Sequence, residues 1–186
     1  MNKVILFSAP SGCGKTTIIG RILQYFPSLE FSISATSRQP RGSEQDGVDY
    51  YYLSTEEFLR RARNDEFVEW EEVFTGTCYG TLKSELDRIW AKGNTIIFDV
   101  DVNGGKNLKR HFGDQCLSIF VMPPSLEVLE QRLRGRGTDS EESITRRLAR
   151  SQQELKEAHL FDRTIVNDDL DRAVEETRQA IAAFLQ

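Results

Sequence analysis

The sequence predicts an α/β fold: a parallel sheet covered by helices on both faces, interrupted by a smaller α+β lobe. Three observations lead there. Short, mainly apolar runs at 4–7, 95–98 and 117–122 suit strands buried on both sides. Segments with apolar residues at helical spacing alternate with those runs, as a helix-covered parallel sheet requires. Between about residues 33 and 80 the hydrophobic period falls to two, with one wet face, which suits a separate sheet of more antiparallel character.

Taken in order, Val4-Ile-Leu-Phe7 is the first strand and Ala9 to Gly14 a turn. Ile18, Ile19, Ile22, Leu23 and Phe26 then share a helical face that Pro27 stops. Leu29, Phe31 and Ile33 alternate with polar residues, as do Val48, Tyr50 and Tyr52, and both stretches are read as strands with one wet face, more typical of antiparallel sheet. Ser54 with Glu57 forms a capping box for a short helix carrying Phe58 and Leu59, and a strand is expected from Phe67 to Val73. Leu82, Leu86, Ile89 and Trp90 make the next helical stripe, ended by Gly93. The strand Thr95–Phe98 runs into Asp99 and Asp101, a helix is expected around Leu108 to Phe112, and Leu117–Met122 is a strand broken by Pro123 and Pro124. Ser125 caps a helix with Leu126, Leu129 and Leu133. Gly135 and Gly137 interrupt the chain before a charged helix from about Ser140 to Ala158. A short strand at Thr164–Val166 and an amphipathic helix from Leu170 to Leu185 close the pattern.

A chain of 186 residues suits one domain with an inserted lobe and can bury a core without staples. Twenty-four basic against 29 acidic residues, a net charge of −5, predicts neither a nucleic-acid nor a membrane-surface partner. The opening residues lack the pattern of a secretory leader, and Cys13, Cys78 and Cys116 form no CxxC pair. Reduced thiols and a cytoplasmic location are the expectation. Nothing in the sequence indicates an oligomer.

The strongest chemical signal is Ala9-Pro10-Ser11-Gly12-Cys13-Gly14-Lys15-Thr16, with Thr17 behind it, between a buried strand and a helix. Glycines at 12 and 14 let backbone N–H groups converge on anionic oxygens, and a helix N-terminus adds its dipole. Lys15 is placed for β- and γ-phosphates and the Thr16 hydroxyl for Mg²⁺. Ala9 departs from the glycine of the strict phosphate-loop pattern, so either position 9 is extended or the loop is re-shaped. Asp99 and Asp101 end a strand on the edge where open α/β sheets bind ligands, a place from which either can position magnesium-bound waters or substrate.

A second anion site is written into the lobe. Arg38 and Arg41, around Pro40, can grip one phosphate, and tyrosine hydroxyls such as those of Tyr50 and Tyr79 can complete the cage. A carboxylate such as Glu69 accepts from two adjacent N–H donors, which guanine offers and adenine does not.

With Ser34…Arg38-Gln-Pro-Arg41, Glu44, Gly47-Val-Asp-Tyr50, Glu69-Trp70, Tyr79-Gly-Thr81, Asp99-Val-Asp101 and Pro123-Pro-Ser125 in one chain, the sequence resembles the guanylate kinases over nearly its whole length. The resemblance implies a P-loop kinase fold with a core at about 1–32, 82–125 and 159–186, a GMP-binding lobe at about 33–81 and a helical lid at about 126–158. It implies transfer of the ATP γ-phosphate, with Mg²⁺, to GMP and dGMP. Arg38, Arg41, Tyr50 and Tyr79 correspond to the family's GMP-phosphate ligands, Ser34, Glu69 and Thr81 to its guanine readers, and Asp101 to an acidic residue beside GMP. Arg132, Arg136 and Arg147 match lid arginines brought onto the phosphates, with Arg38, Arg136 and Arg147 joining Lys15 as the catalytic cations. Asn167 matches a residue near adenine. Ser37, Ser43, Cys78 and Leu82 depart from the family's usual residues. Two other readings compete: a scaffold-type domain that binds phosphopeptides without turnover, and a kinase for another small phosphate ester. Tyr51, Trp70 and Trp90 are read as packing residues.

Overall fold

The computed structural model describes residues 2–74, 76–135 and 140–186. Strand β1 (Val4–Ser8) is buried along its whole length, and α1 (Lys15–Tyr25) buries Ile18, Ile19 and Ile22. Three short strands follow, β2 (Leu29–Phe31), β3 (Ala35–Thr36) and β4 (Tyr51–Tyr52). Helix α2 (Thr55–Arg63) starts on Ser54, whose hydroxyl accepts from the Glu57 N–H at 3.1 Å, while the Glu57 carboxylate bonds Arg60 and Arg61. β5 (Phe67–Phe74) and β6 (Thr77–Leu82) run back to back, and α3 (Lys83–Trp90) leads to β7 (Thr95–Val100). Then come α4 (Val102–Phe112), β8 (Cys116–Met122), α5 (Leu126–Gly135), α6 (Glu141–Lys156), β9 (Arg163–Val166) and α7 (Leu170–Leu185).

Five strands make a parallel sheet in the order β2-β7-β1-β8-β9. Alternation along β1 divides the core: Ile5 and Phe7 pack with Ile18, Ile22, Val174 and Ile181, whereas Val4 and Leu6 pack with Ile89, Phe98, Leu108 and Phe120. Each such fully buried side chain contributes about 1.5–3 kcal/mol relative to an exposed one. The second sheet, β4-β3-β6-β5, closes over Ala35, Phe58, Phe67, Cys78 and Leu82. Among the described residues no helix is long and apolar enough to cross a membrane.

Two expectations are corrected. Leu29–Phe31 pairs parallel, not antiparallel, to β7; its one wet face is that of an edge strand of the large sheet, with Phe31 37% exposed. In the stretch from Val48 to Tyr52 only Tyr51–Tyr52 is a strand, and it pairs parallel to β3. The residues before it are spent on turns, with Gly42 and Gly47 at positive φ and the Asp49 carboxylate accepting from the Gln45 N–H. The small sheet is therefore mixed, with β3–β6 and β5–β6 antiparallel.

Candidate active site

At the C-terminal edge of the parallel sheet, β1 ends beside Val100 of β7 and Phe120 of β8. Residues 9–14 turn there into α1. Gly12 and Gly14 have φ of 98° and 86°, conformations that an L side chain resists. Among the described residues no side chain caps α1, so its first N–H groups face the loop's concavity. Ala9 does not have positive φ, which resolves its departure from the strict pattern: position 9 needs no glycine. Lys15 Nζ pairs with Asp99 and donates to the Val100 carbonyl at 3.0 Å.

The loop is buttressed from behind. Asn167 Nδ2 donates to the Cys13 carbonyl at 2.8 Å, and Arg132 Nη2 donates to the Asn167 carbonyl at 2.8 Å. A Cβ on Gly14 would collide with Asn167 Nδ2. Burial pushes the Cys13 thiol up to about 12, against the pull of Arg132 and Lys15, so the thiol stays neutral.

The opposite wall comes from the small sheet. Arg38 lies between Glu44, which takes its Nη1 at 2.6 Å and Nη2 at 2.8 Å, and Tyr79, whose hydroxyl accepts from Nε at 3.2 Å. The Tyr50 and Tyr52 rings stand 4.9 Å and 5.7 Å from its guanidinium carbon. Glu44 also accepts from the Arg41 N–H and the Tyr52 hydroxyl, and the Arg38 contacts foremost hold its carboxyl down at about 2. Deeper in, Glu69 accepts from Thr81 Oγ1 at 2.9 Å, and burial raises its carboxyl to about 7, aided by Asp101 and Glu71. Asp101 Oδ1 caps α4 by accepting from the Gly104 N–H, and Oδ2 accepts from Arg150 at 3.3 Å.

Helix α6 crosses above. Its N-terminus is set by Ser140, and one face presents Ser143, Arg146, Arg147, Arg150 and Glu154. Arg147 Nη1 donates to Ser11 Oγ of the phosphate loop at 3.0 Å. All three elements line one cleft of about 750 Å³, with the loop residues 9–17 on one side and Ser34, Tyr50, Glu69 and Tyr79 on the other.

A family model for guanylate kinase matches residues 1–184. The chain is 54% identical over 186 residues to the guanylate kinase of Porphyromonas gingivalis, covering 100% of this chain and 99% of that one. It is 52% identical to that of Bacteroides thetaiotaomicron, covering 98% and 90%. The crystal structure of guanylate kinase from Anaplasma phagocytophilum superposes with a TM-score of 0.77 at 29% identity, over 98% of this chain and 85% of that one. The chain belongs to the guanylate kinase family.

Against that family's expected ligands, the structure brings Lys15, Thr16, Ser34, Tyr50, Glu69, Tyr79, Asp99, Asp101 and Arg147 to the one cleft. Arg38 and Thr81 stand one layer behind, touching Tyr79 and Glu69. Arg41 is exposed and reaches the cluster through its backbone N–H. Arg132 and Asn167 sit behind the loop, and Arg136 lies outside the described residues. Tyr51 is more than packing, because its hydroxyl donates to Glu85 at 2.9 Å. Trp70 is 41% exposed and meets Phe58 edge-on, and Trp90 packs edge-on against Phe112. Sequence reasoning missed Glu44, Tyr52, Arg150 and Glu154 as site residues. The last two were within reach: positions 143, 147, 150 and 154 follow one helical face once Arg147 is placed on it.

Thr16 and Asp99 offer a hydroxyl and a carboxylate on the same cleft, the hard oxygen donors Mg²⁺ takes. Among the described residues no cluster of three or more His, Cys, Asp or Glu is poised to hold a metal. The donor set therefore fits an ion that arrives with polyphosphate oxygens rather than one caged by protein alone.

Proposed function

We infer that this protein is an ATP:GMP phosphotransferase that turns ATP and GMP into ADP and GDP, and that it accepts dGMP as well. The observation carrying this is the single cleft with a phosphate loop on one wall and an arginine–tyrosine–glutamate pocket on the other. That arrangement suits two anions held head to head.

On this reading the donor's phosphates lie on the amides of residues 10–16, and Lys15 exchanges Asp99 for a phosphate oxygen. Arg38, with Tyr50 and Tyr79, takes the acceptor's phosphate. Glu69 accepts from guanine N1–H and N2–H, with Ser34 and Thr81 beside it. Adenine has neither donor, and a site committed to hydrogen bonds rejects an analogue lacking them by about 10⁴ or more. The acceptor phosphate is itself the nucleophile, so no strong protein base is needed. Lys15 and Arg147 neutralise charge on the transferring group, and the α6 lid excludes water that would otherwise hydrolyse ATP. Mg²⁺, met by Thr16 and by Asp99 through water, would supply further neutralisation of the donor's phosphates. The reaction belongs in the cytoplasm, with no nucleic acid involved. A coupled ADP-formation assay with GMP, dGMP, AMP and ribose phosphates tests it; equal turnover of AMP and GMP would refute it.

A further inference from the structure

The chain passes from the parallel sheet into the small sheet between β2 and β3 and returns from β6 into α3. Glu85, in the first turn of α3, stands where the two passages meet. It is 2% exposed, and its carboxylate accepts four hydrogen bonds: from the Ile33 N–H at 2.9 Å, from Tyr51 Oη at 2.9 Å, and from Arg88 Nε and Nη2 at 2.9 and 2.7 Å. Arg88 in turn pairs with Glu30 of β2, which also takes Lys92 Nζ and Asn94 Nδ2, each at 2.8 Å. Burial alone pushes the Glu85 carboxyl up, yet Arg88, the Ile33 N–H and Tyr51 together hold it below its ordinary value. A buried carboxylate satisfied in this way is rigid, and removing a partner leaves an uncompensated charge.

What this anchor positions follows from strand alternation. Tyr51 points to Glu85, so Tyr50 and Tyr52 point the other way, onto Arg38. Ile33 gives its N–H to Glu85, and the next residue, Ser34, lines the cleft and accepts from the Tyr51 N–H at 2.9 Å through its carbonyl. The segments that lead into β3 and β4 and carry Ser34 and Tyr50 are thus pinned from behind by one side chain that does not line the cleft.

We propose that Glu85 is a positioning residue for the acceptor nucleotide, setting Ser34 and Tyr50 through its bonds to the Ile33 N–H and the Tyr51 hydroxyl. The proposal rests on the acceptor-site reading above. It separates the two nucleotides: among the described residues no hydrogen bond or ion pair joins the phosphate loop to Glu85, Arg88, Tyr51 or Glu30, so the donor side is left alone.

The test uses the purified full chain and the variants Tyr51→Phe, which removes one hydrogen bond, Glu85→Gln, which keeps the shape, and Glu85→Ala, which removes the carboxylate. KM for GMP rises about ten-fold in Tyr51→Phe, the effect of losing a bond to a charged group, while KM for ATP stays within about two-fold. Calorimetric GMP binding weakens in parallel, and Glu85→Gln, whose amide oxygen can still accept from the Ile33 N–H while its NH2 turns to donate to the Tyr51 hydroxyl oxygen, falls nearer the parent than Glu85→Ala. Folded variants whose GMP KM matches the parent's overturn the proposal, as does an equal rise in both KM values, the mark of general loosening. A parent that neither binds nor phosphorylates GMP sinks the acceptor reading and this proposal with it; a competent parent with unaltered variants sinks the role of Glu85 alone.

Discussion

On the proposed reading of Glu69 as the guanine acceptor, its buried carboxyl gives GMP binding a pH signature. Its carboxyl sits at about 7 because burial disfavours the charge, with Asp101 and Glu71 adding repulsion and the Thr81 hydroxyl opposing them. A raised carboxyl is neutral below that value, and a neutral carboxyl offers a donor where guanine N1–H and N2–H need acceptors. The binding-competent fraction is therefore the ionised fraction, roughly one-eleventh at about pH 6 and ten-elevenths at about pH 8. KM for GMP should fall about ten-fold across that interval as pH rises. The second ionisation of the GMP phosphate, near about 6, contributes a slope of its own. Glu69→Gln isolates it, because the amide cannot titrate while the phosphate still does. Steady-state KM at saturating ATP, measured for both proteins across the interval, decides the matter. Superimposable profiles for parent and Glu69→Gln would show that Glu69 is not the guanine reader.

Three further outcomes are expected. Lys15→Ala lowers kcat by about 10²–10³ while circular dichroism of the fold is unchanged, since among the described residues the Lys15 ammonium bonds Asp99 and the Val100 carbonyl alone; unaltered turnover would remove the loop from the mechanism. Gly80→Ala destabilises by about 1–3 kcal/mol and raises KM for GMP, because its Cβ would lie 2.7 Å from both the Glu69 carbonyl oxygen and Trp70 Cβ across a paired strand; a parent-like thermal melt would contradict the packing. Cys13 resists alkylation in the native protein at neutral pH, being 1% exposed and held up at about 12, and mass spectrometry showing its prompt modification would contradict that environment.

The parallel sheet was legible because period and punctuation agreed: β1, the glycine turn and α1 follow from Val4–Phe7, Gly12, Gly14 and Pro27 alone. Long-range closeness was not legible. The start of α4 is at Val102, well before the apolar signal at Leu108, because Gly104 and Gly105 read against a helix. Both are small for tertiary reasons: a Cβ on Gly104 would lie 3.3 Å from Glu69 Oε2, and one on Gly105 would lie 3.1 Å from the Phe161 ring. Departures from the family pattern at Cys78 and Leu82 cost no ligand, since both side chains face the small sheet's core. Neither fact follows from the sequence period, which assigns a residue to a face but not to a neighbour across the fold.

The charges in the cleft show how the fold tolerates so many cations at one place. Lys15 is paired with Asp99, Arg38 with Glu44, and Arg150 with Asp101 and Glu154. Each of these three cations therefore has an internal anion, and the desolvation that an unpaired guanidinium or ammonium would suffer is avoided. On the proposed function, nucleotide binding becomes an exchange of a carboxylate for a phosphate bearing more charge and more acceptor oxygens. The exchange lowers affinity relative to a bare cationic pocket, but it fixes each side chain in advance. For Arg38 the fixing is most complete: its guanidinium is held by two oxygens of Glu44, one hydroxyl and two rings. A cation oriented before substrate binds spends little of the binding energy on its own ordering, leaving that energy for aligning two like-charged groups.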